Sequence, residues 1–96
     1  MLKNMYSIYD KKAAFYLTPF FMRNDAEAQR VVQQSLMHEP QSPVSTTPED
    51  YQLCRIGSFD DTTGELFYEQ VEIIAECAAL RVQAGPLDPD APLGDS

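Results

Sequence analysis

The chain has 96 residues, 44% of them hydrophobic and 23% charged, enough for one core and too few for a second domain. Its formal charge of −8 argues against tight nonspecific binding to duplex DNA, because phosphate affinity comes chiefly from lysine and arginine. No apolar run approaches the roughly 20 residues of a membrane-spanning helix and no signal-like segment opens the chain, so no membrane partner is expected and the protein should stay in the compartment where it is made.

Residues 5–9 (Met-Tyr-Ser-Ile-Tyr) and 14–17 (Ala-Phe-Tyr-Leu) are rich in aromatic and β-branched types on either side of a polar break, which predicts a β-hairpin. Alternation puts Tyr6 and Ile8 on one face, Phe15 and Leu17 on one face of the second strand, and Tyr9 and Tyr16 opposite. Pro19 is expected to close that strand. Asn24 is placed to cap a helix with Glu27 reaching back, and Ala28, Val31, Val32, Ser35 and Leu36 recur at helical spacing until Pro40 stops the helix.

The stretch 39–48 turns to proline, serine and threonine and reads as a surface loop. A third strand is expected from Tyr51 to Phe59. A turn with Gly64 at positive φ follows, and then a fourth strand over 65–68. Val71, Ile74, Ala75, Ala78 and Val82 repeat at helical spacing and predict a short C-terminal helix. Residues 83–96, rich in glycine, proline and acid, predict a disordered acidic tail. The expected architecture is therefore α+β: two antiparallel β-hairpins flanking a central helix (ββαββ) in one sheet, as a single domain over 1–82.

Catalytic signals are weak. The single histidine, His38, sits at a predicted helix end, where the macrodipole favours it, with no motif placing a nucleophile or carboxylate beside it. Cys54 and Cys77 lack CxxC spacing and read as reduced thiols in the core, and with one histidine they do not make a zinc site. The turn Asp60-Asp61-Thr62-Thr63-Gly64-Glu65 fails as a calcium loop because Phe59 stands where the first aspartate ligand belongs. The four glycines never cluster as a phosphate loop requires. No enzyme activity, cofactor or metal is expected.

Charge is uneven along the chain. Residues 1–30 hold five lysines and arginines against three acids, a net +2, so residues 31–96 carry −10. The basic third coincides with the aromatic hairpin, where rings for base stacking beside cations for phosphates suit single-stranded nucleic acid. By alternation about half of those rings belong to the core. The outward candidates are Tyr9, Tyr16, Lys11 and Lys12, with Arg23 beyond the hairpin.

Four blocks taken together carry a resemblance: Tyr6-Ser7-Ile8-Tyr9-Asp10-Lys11-Lys12-Ala13; Pro19-Phe20-Phe21 with Arg23-Asn24-Asp25-Ala26-Glu27-Ala28; Pro48-Glu49-Asp50-Tyr51; and Arg55-Ile56-Gly57-Ser58-Phe59-Asp60-Asp61 with Thr63-Gly64. Over residues 5–66 the chain resembles the small nonstructural protein of gokushovirus-type microviruses, bacteriophages with single-stranded DNA genomes. The resemblance implies a protein of the host bacterial cytoplasm, not in the mature virion, with a role in genome replication or in the switch to single-strand synthesis and packaging. Two partner classes follow from these readings: single-stranded DNA on the hairpin, or a phage or host replication protein bound by a strand edge or the acidic half. A homodimer is a further expectation, since a small core and exposed sheet edges favour pairing.

Overall fold

The computed structural model describes residues 1–84. Its elements in chain order are β1 (Leu2–Asp10), β2 (Phe15–Tyr16), β3 (Phe20–Met22), α1 (Asp25–His38), the short helix α2 (Pro43–Thr46), a 3-10 turn (Pro48–Asp50), β4 (Tyr51–Asp60), β5 (Leu66–Glu76) and α3 (Cys77–Ala84). The five strands form one antiparallel sheet in which β1 and β4 are central, β5 lies at one edge, and β2 and β3 share the other edge of β1. This is the expected α+β arrangement of two hairpins around a helix, with three local differences.

The first difference is at Pro19. The chain does not leave the sheet there but returns to β1 as β3, pairing Phe20 with Tyr6. Proline cannot donate to the ladder, which accounts for the gap. Phe20 then stacks on Tyr6 at 5.9 Å between ring centroids, and the buried Ser7 hydroxyl donates to the Leu17 carbonyl at 2.6 Å, so both ends of the gap are tied to β1. The second difference is in the expected loop 39–48, where Ser42 caps α2 and Pro43 occupies its first turn.

The third difference is at the C-terminal helix, which starts at Cys77 rather than near Val71. The register of β4 and β5 shifts between Leu53 and Cys54, so Ala75 opposes Leu53 while Ile73 opposes Cys54. The extra residue lets Ile74 and Ala75 both pack on the core, and a bulge of this kind imitates helical spacing. Cross-strand bonds hold the strand form, with Gln52 donating to Glu76 at 2.7 Å and Ser58 to Glu69 at 3.2 Å. The helix runs to Ala84, and the remainder of the predicted tail lies outside the described residues.

Both longer helices cover one face of the sheet. From α1 come Ala28, Val32 and Leu36, from α3 Cys77 and Leu80, and from the sheet Tyr6, Tyr51 and Leu53. Fully burying a side chain such as Leu36 is worth about 1.5–3 kcal/mol. Asn24 caps α1 by accepting from the Glu27 amide at 2.9 Å, as its sequence predicts, while Glu27 reaches back one residue beyond the cap and accepts from the Arg23 amide at 3.1 Å rather than closing a reciprocal box on Asn24. At the far end the Leu36 carbonyl accepts from the Ser45 hydroxyl and the Arg81 guanidinium, joining α2 and α3 to α1. Cys54 and Cys77 are buried free thiols, and burial pushes the pKa of each upward, Cys77 to about 12.

The β1–β2 turn contains a strained position. Asp10 holds the turn, its carboxylate accepting from the Lys12 and Ala13 amides at 3.0 Å, and this places Ala14 at φ 60°. A left-handed residue other than glycine costs roughly 1–2 kcal/mol, whereas glycine adds about 0.4–1 kcal/mol of unfolded-chain freedom. Ala14→Gly should therefore stabilise the protein by about 0.5 kcal/mol. The check is a higher urea midpoint at unchanged slope.

Candidate binding face of the sheet

With the helices on one side, no helix among the described residues covers the opposite face of the sheet, although Ser7 and Cys54 on that face are buried among larger neighbours. Strand alternation sends Met5, Ser7 and Tyr9 of β1 to this open face, and antiparallel pairing places Phe21 beside Met5, Tyr16 beside Tyr9 and Ile73 beside Cys54. The result is an apolar, aromatic surface. Tyr9 and Tyr16 have ring centroids 4.7 Å apart and Phe21 and Phe59 5.5 Å apart. Met5, Tyr16, Ile56, Leu66, Tyr68 and Val71 line an open depression of about 460 Å³.

Exposure is highest on β5. Tyr68 is 95% exposed, Leu66 64% and Ile73 56%. Of the acids of this strand, Glu69 and Glu72 bond Ser58 and Arg55 on the helix-covered side, while Glu76, opposite Gln52 and so on the side of Tyr9, stands at one end of the open face bonded to Gln52 and Lys11. Sequence reasoning misses this surface after Tyr68, since the spacing from Val71 onward predicts a helix. The contrary signal is the β-branched Val71, Ile73 and Ile74.

The five predicted site residues are only partly brought together. Tyr9 and Tyr16 pair as expected on the outward face, with Tyr16 43% exposed. Lys11 and Lys12 lie at the same end, on the β1–β2 turn. Arg23 does not join them: it follows Met22, which pairs with Asn4, so about five strand residues, roughly 17 Å, separate it from Tyr9 along β1.

All three cations are engaged by carboxylates. Lys11 lies 3.1 Å from Glu76, Lys12 3.5 Å from Asp50, and Arg23 bonds Glu27 through Nε at 2.8 Å. Gln52, together with Lys11, holds the Glu76 carboxyl below its ordinary pKa. An exposed ion pair is cheap to open. The carboxylate nonetheless stays beside the lysine and repels an incoming phosphate.

A polar cluster sits under the other face. The buried Tyr6 hydroxyl donates to Asp25 at 2.6 Å and accepts from Asn4 at 3.0 Å, and Arg55 grips both Asp25 oxygens at 2.9 and 2.7 Å while also bonding Glu72. Burial and the bond to Asp25 push Tyr6 up to about 12. Partial burial works to raise Asp25, but the Tyr6 and Arg55 bonds outweigh it and leave its pKa lowered. The cluster ties α1 to β1, β4 and β5.

A second concavity, of about 390 Å³, lies between α1 and the 17–20 segment. Its lining is mainly apolar, from Leu17, Phe20, Val31, Leu36 and Val44, with Glu39 its one carboxylate. Among the described residues no group of three or more histidine, cysteine or acidic side chains is placed to hold a metal. No described helix is long and apolar enough to cross a membrane.

No curated protein and no solved structure matches the chain. A family model described as Phage ORF5 protein matches residues 3–80, running from β1 into α3 and so covering the sheet, α1 and both faces of the sheet. The match continues past residue 66 through β5, the strand that carries the exposed Leu66, Tyr68 and Ile73. The chain therefore belongs to the Phage ORF5 protein family.

Proposed function

We propose that this phage protein works without catalysis, by binding another protein through the open face of its sheet. The observation that carries this reading is the face itself: exposed Leu66, Tyr68, Val71 and Ile73 around a depression, beside lysines already engaged by carboxylates. Contiguous apolar surface of this kind marks protein interaction sites. A chain of charge −8 gains little from counterion release.

The resemblance to the gokushovirus-type nonstructural protein supplies the setting. In that setting the protein acts in the host bacterial cytoplasm, outside the mature virion, during genome replication or the switch to single-stranded synthesis and packaging. A phage or host replication protein and a second copy of the chain are the two protein partners that such a face admits.

Binding of single-stranded DNA is the second reading, favoured by the Tyr9–Tyr16 ring pair next to Lys11 and Lys12. Anisotropy of labelled oligonucleotides across a salt series separates the two. The expected result is no saturable binding at low salt, and no change for the Lys11→Glu/Lys12→Glu double variant. Saturable binding to single strands that salt weakens, and that the double variant loses, would replace the protein reading with the nucleic-acid one.

A further inference from the structure

We propose that the open face joins two copies of this chain face to face about a two-fold axis, with Tyr68 of each copy seated in the depression of the other. This rests on the reading of the open face as a protein-binding surface and names its partner. A two-fold contact uses one patch on both copies, so that patch must complement itself. Here a protruding ring and a hollow lie side by side: Tyr68, 95% exposed, stands at the depression that it lines with Tyr16, Ile56 and Leu66.

The area fits as well. At their observed exposures, Tyr68, Leu66, Ile73, Tyr16, Phe21 and Val71 present roughly 700 Å² per copy, against about 800 Å² per partner in a standard interface. A monomer's largest apolar patch is about 300–600 Å². Aromatic anchors at the centre of such a patch are the residues that carry binding energy.

Face-to-face packing is favoured over extension of the sheet at its edge. The register of β4 and β5 is irregular between Arg55 and Gly57, where Arg55 opposes Glu72 and Gly57 opposes Tyr68. An irregular edge strand is a poor template for another strand. The same irregularity turns Tyr68 and Val71, three residues apart, towards one depression. The acids of β5 are bonded within the copy, so the face can be covered without stranding a carboxylate.

Sedimentation equilibrium of the full chain tests this, with Tyr68→Lys and Leu66→Glu as variants and far-ultraviolet circular dichroism to confirm that each is folded. The wild type should form a dimer whose association is unchanged or tightened by salt, since screening relieves repulsion between two acidic copies. Tyr68→Lys should raise the dissociation constant by roughly thirtyfold, the scale of a hot-spot aromatic. A wild type that stays monomeric, or a dimer that neither variant weakens, overturns the proposal. If the wild type is monomeric but Tyr68→Lys abolishes capture of another protein from infected cells, the second copy falls and the face reading stands. If that capture is also unaffected, both fall.

Discussion

Gly57→Ala should destabilise the protein by about 2–3 kcal/mol, at the upper end of overpacking costs, a large fraction of what a small domain has to lose. A Cβ at this position would lie 2.5 Å from the Phe67 carbonyl oxygen and 3.8 Å from the Met5 methyl. The methionine can swing away. The carbonyl belongs to the backbone of β5 and cannot move alone, and β4 is held on its other side by β1 through Met5 opposite Gly57. Relief therefore requires β4 and β5 to separate where their register is already irregular.

Gly64→Ala is the matched control. Gly64 has φ +80°, and a methyl group added there would meet no heavy atom within 4 Å, so alanine faces backbone strain alone, about 1–2 kcal/mol. The expected order of urea midpoints, from highest to lowest, is wild type, Gly64→Ala, Gly57→Ala. Hydrogen exchange should show protection lost first in the β5 amides near Phe67 and Tyr68 of the Gly57 variant. A Gly57→Ala protein as stable as Gly64→Ala would mean that the strands slide past each other at little cost.

These two glycines also show how unevenly the sequence speaks. Gly64 follows Asp60-Asp61-Thr62-Thr63, and turn chemistry of that kind is local, so its positive φ was legible. Gly57 stands inside a strand pattern, and the neighbour that requires it lies about ten residues away on β5. An isolated strand glycine points to a bulge or a close backbone approach, but not to which neighbour approaches.

The same division runs through the rest of the fold. The cap at Asn24, the stripe Ala28, Val32 and Leu36, and the opposed faces of Tyr6 and Tyr9 all follow from short-range periodicity, and the structure has them. Val31 of the predicted stripe is 37% exposed, at the margin of the buried arc. What was hidden depends on pairing between distant segments. The return of the chain as β3 needs Tyr6 to receive Phe20, and the continuation of β5 to Glu76 needs partners on β4. The candidate lysines were legible as positions on an exposed turn, whereas their engagement by Glu76 and Asp50 depends on tertiary contacts that periodicity does not encode.

The polar cluster at Tyr6 and Asp25 has the second large expected effect. Asp25→Ala removes the acceptor of a buried hydroxyl and one of the two carboxylates held by Arg55. Bonds to charged groups contribute about 1.5–3 kcal/mol each. Asp25 is 38% exposed, so solvent screens part of this and the expected loss is about 2 kcal/mol. Tyr6→Phe keeps the ring in the core and loses only the hydroxyl, for about 1 kcal/mol. The two losses should not add, because both variants delete the same bond.

The pH profile separates this cluster from a packing defect. The folded pKa of Asp25 is lowered, so its contribution is complete above the unfolded value near 3.9 and is lost as pH falls through the folded value. Asp25→Ala should therefore flatten part of the acid limb of stability below about pH 4. Tyr6 behaves in the opposite sense. Its pKa is raised from 10.0 to about 12, so its contribution is complete below 10 and is lost as pH rises towards 12. Tyr6→Phe should remove that alkaline decline and weaken the acid limb without abolishing it, since the Tyr6 bond is lost while Arg55 still holds Asp25. Urea unfolding of both variants across pH reads the two limbs separately. A Tyr6→Phe protein that keeps the alkaline decline would place the titrating hydroxyl elsewhere in the sheet.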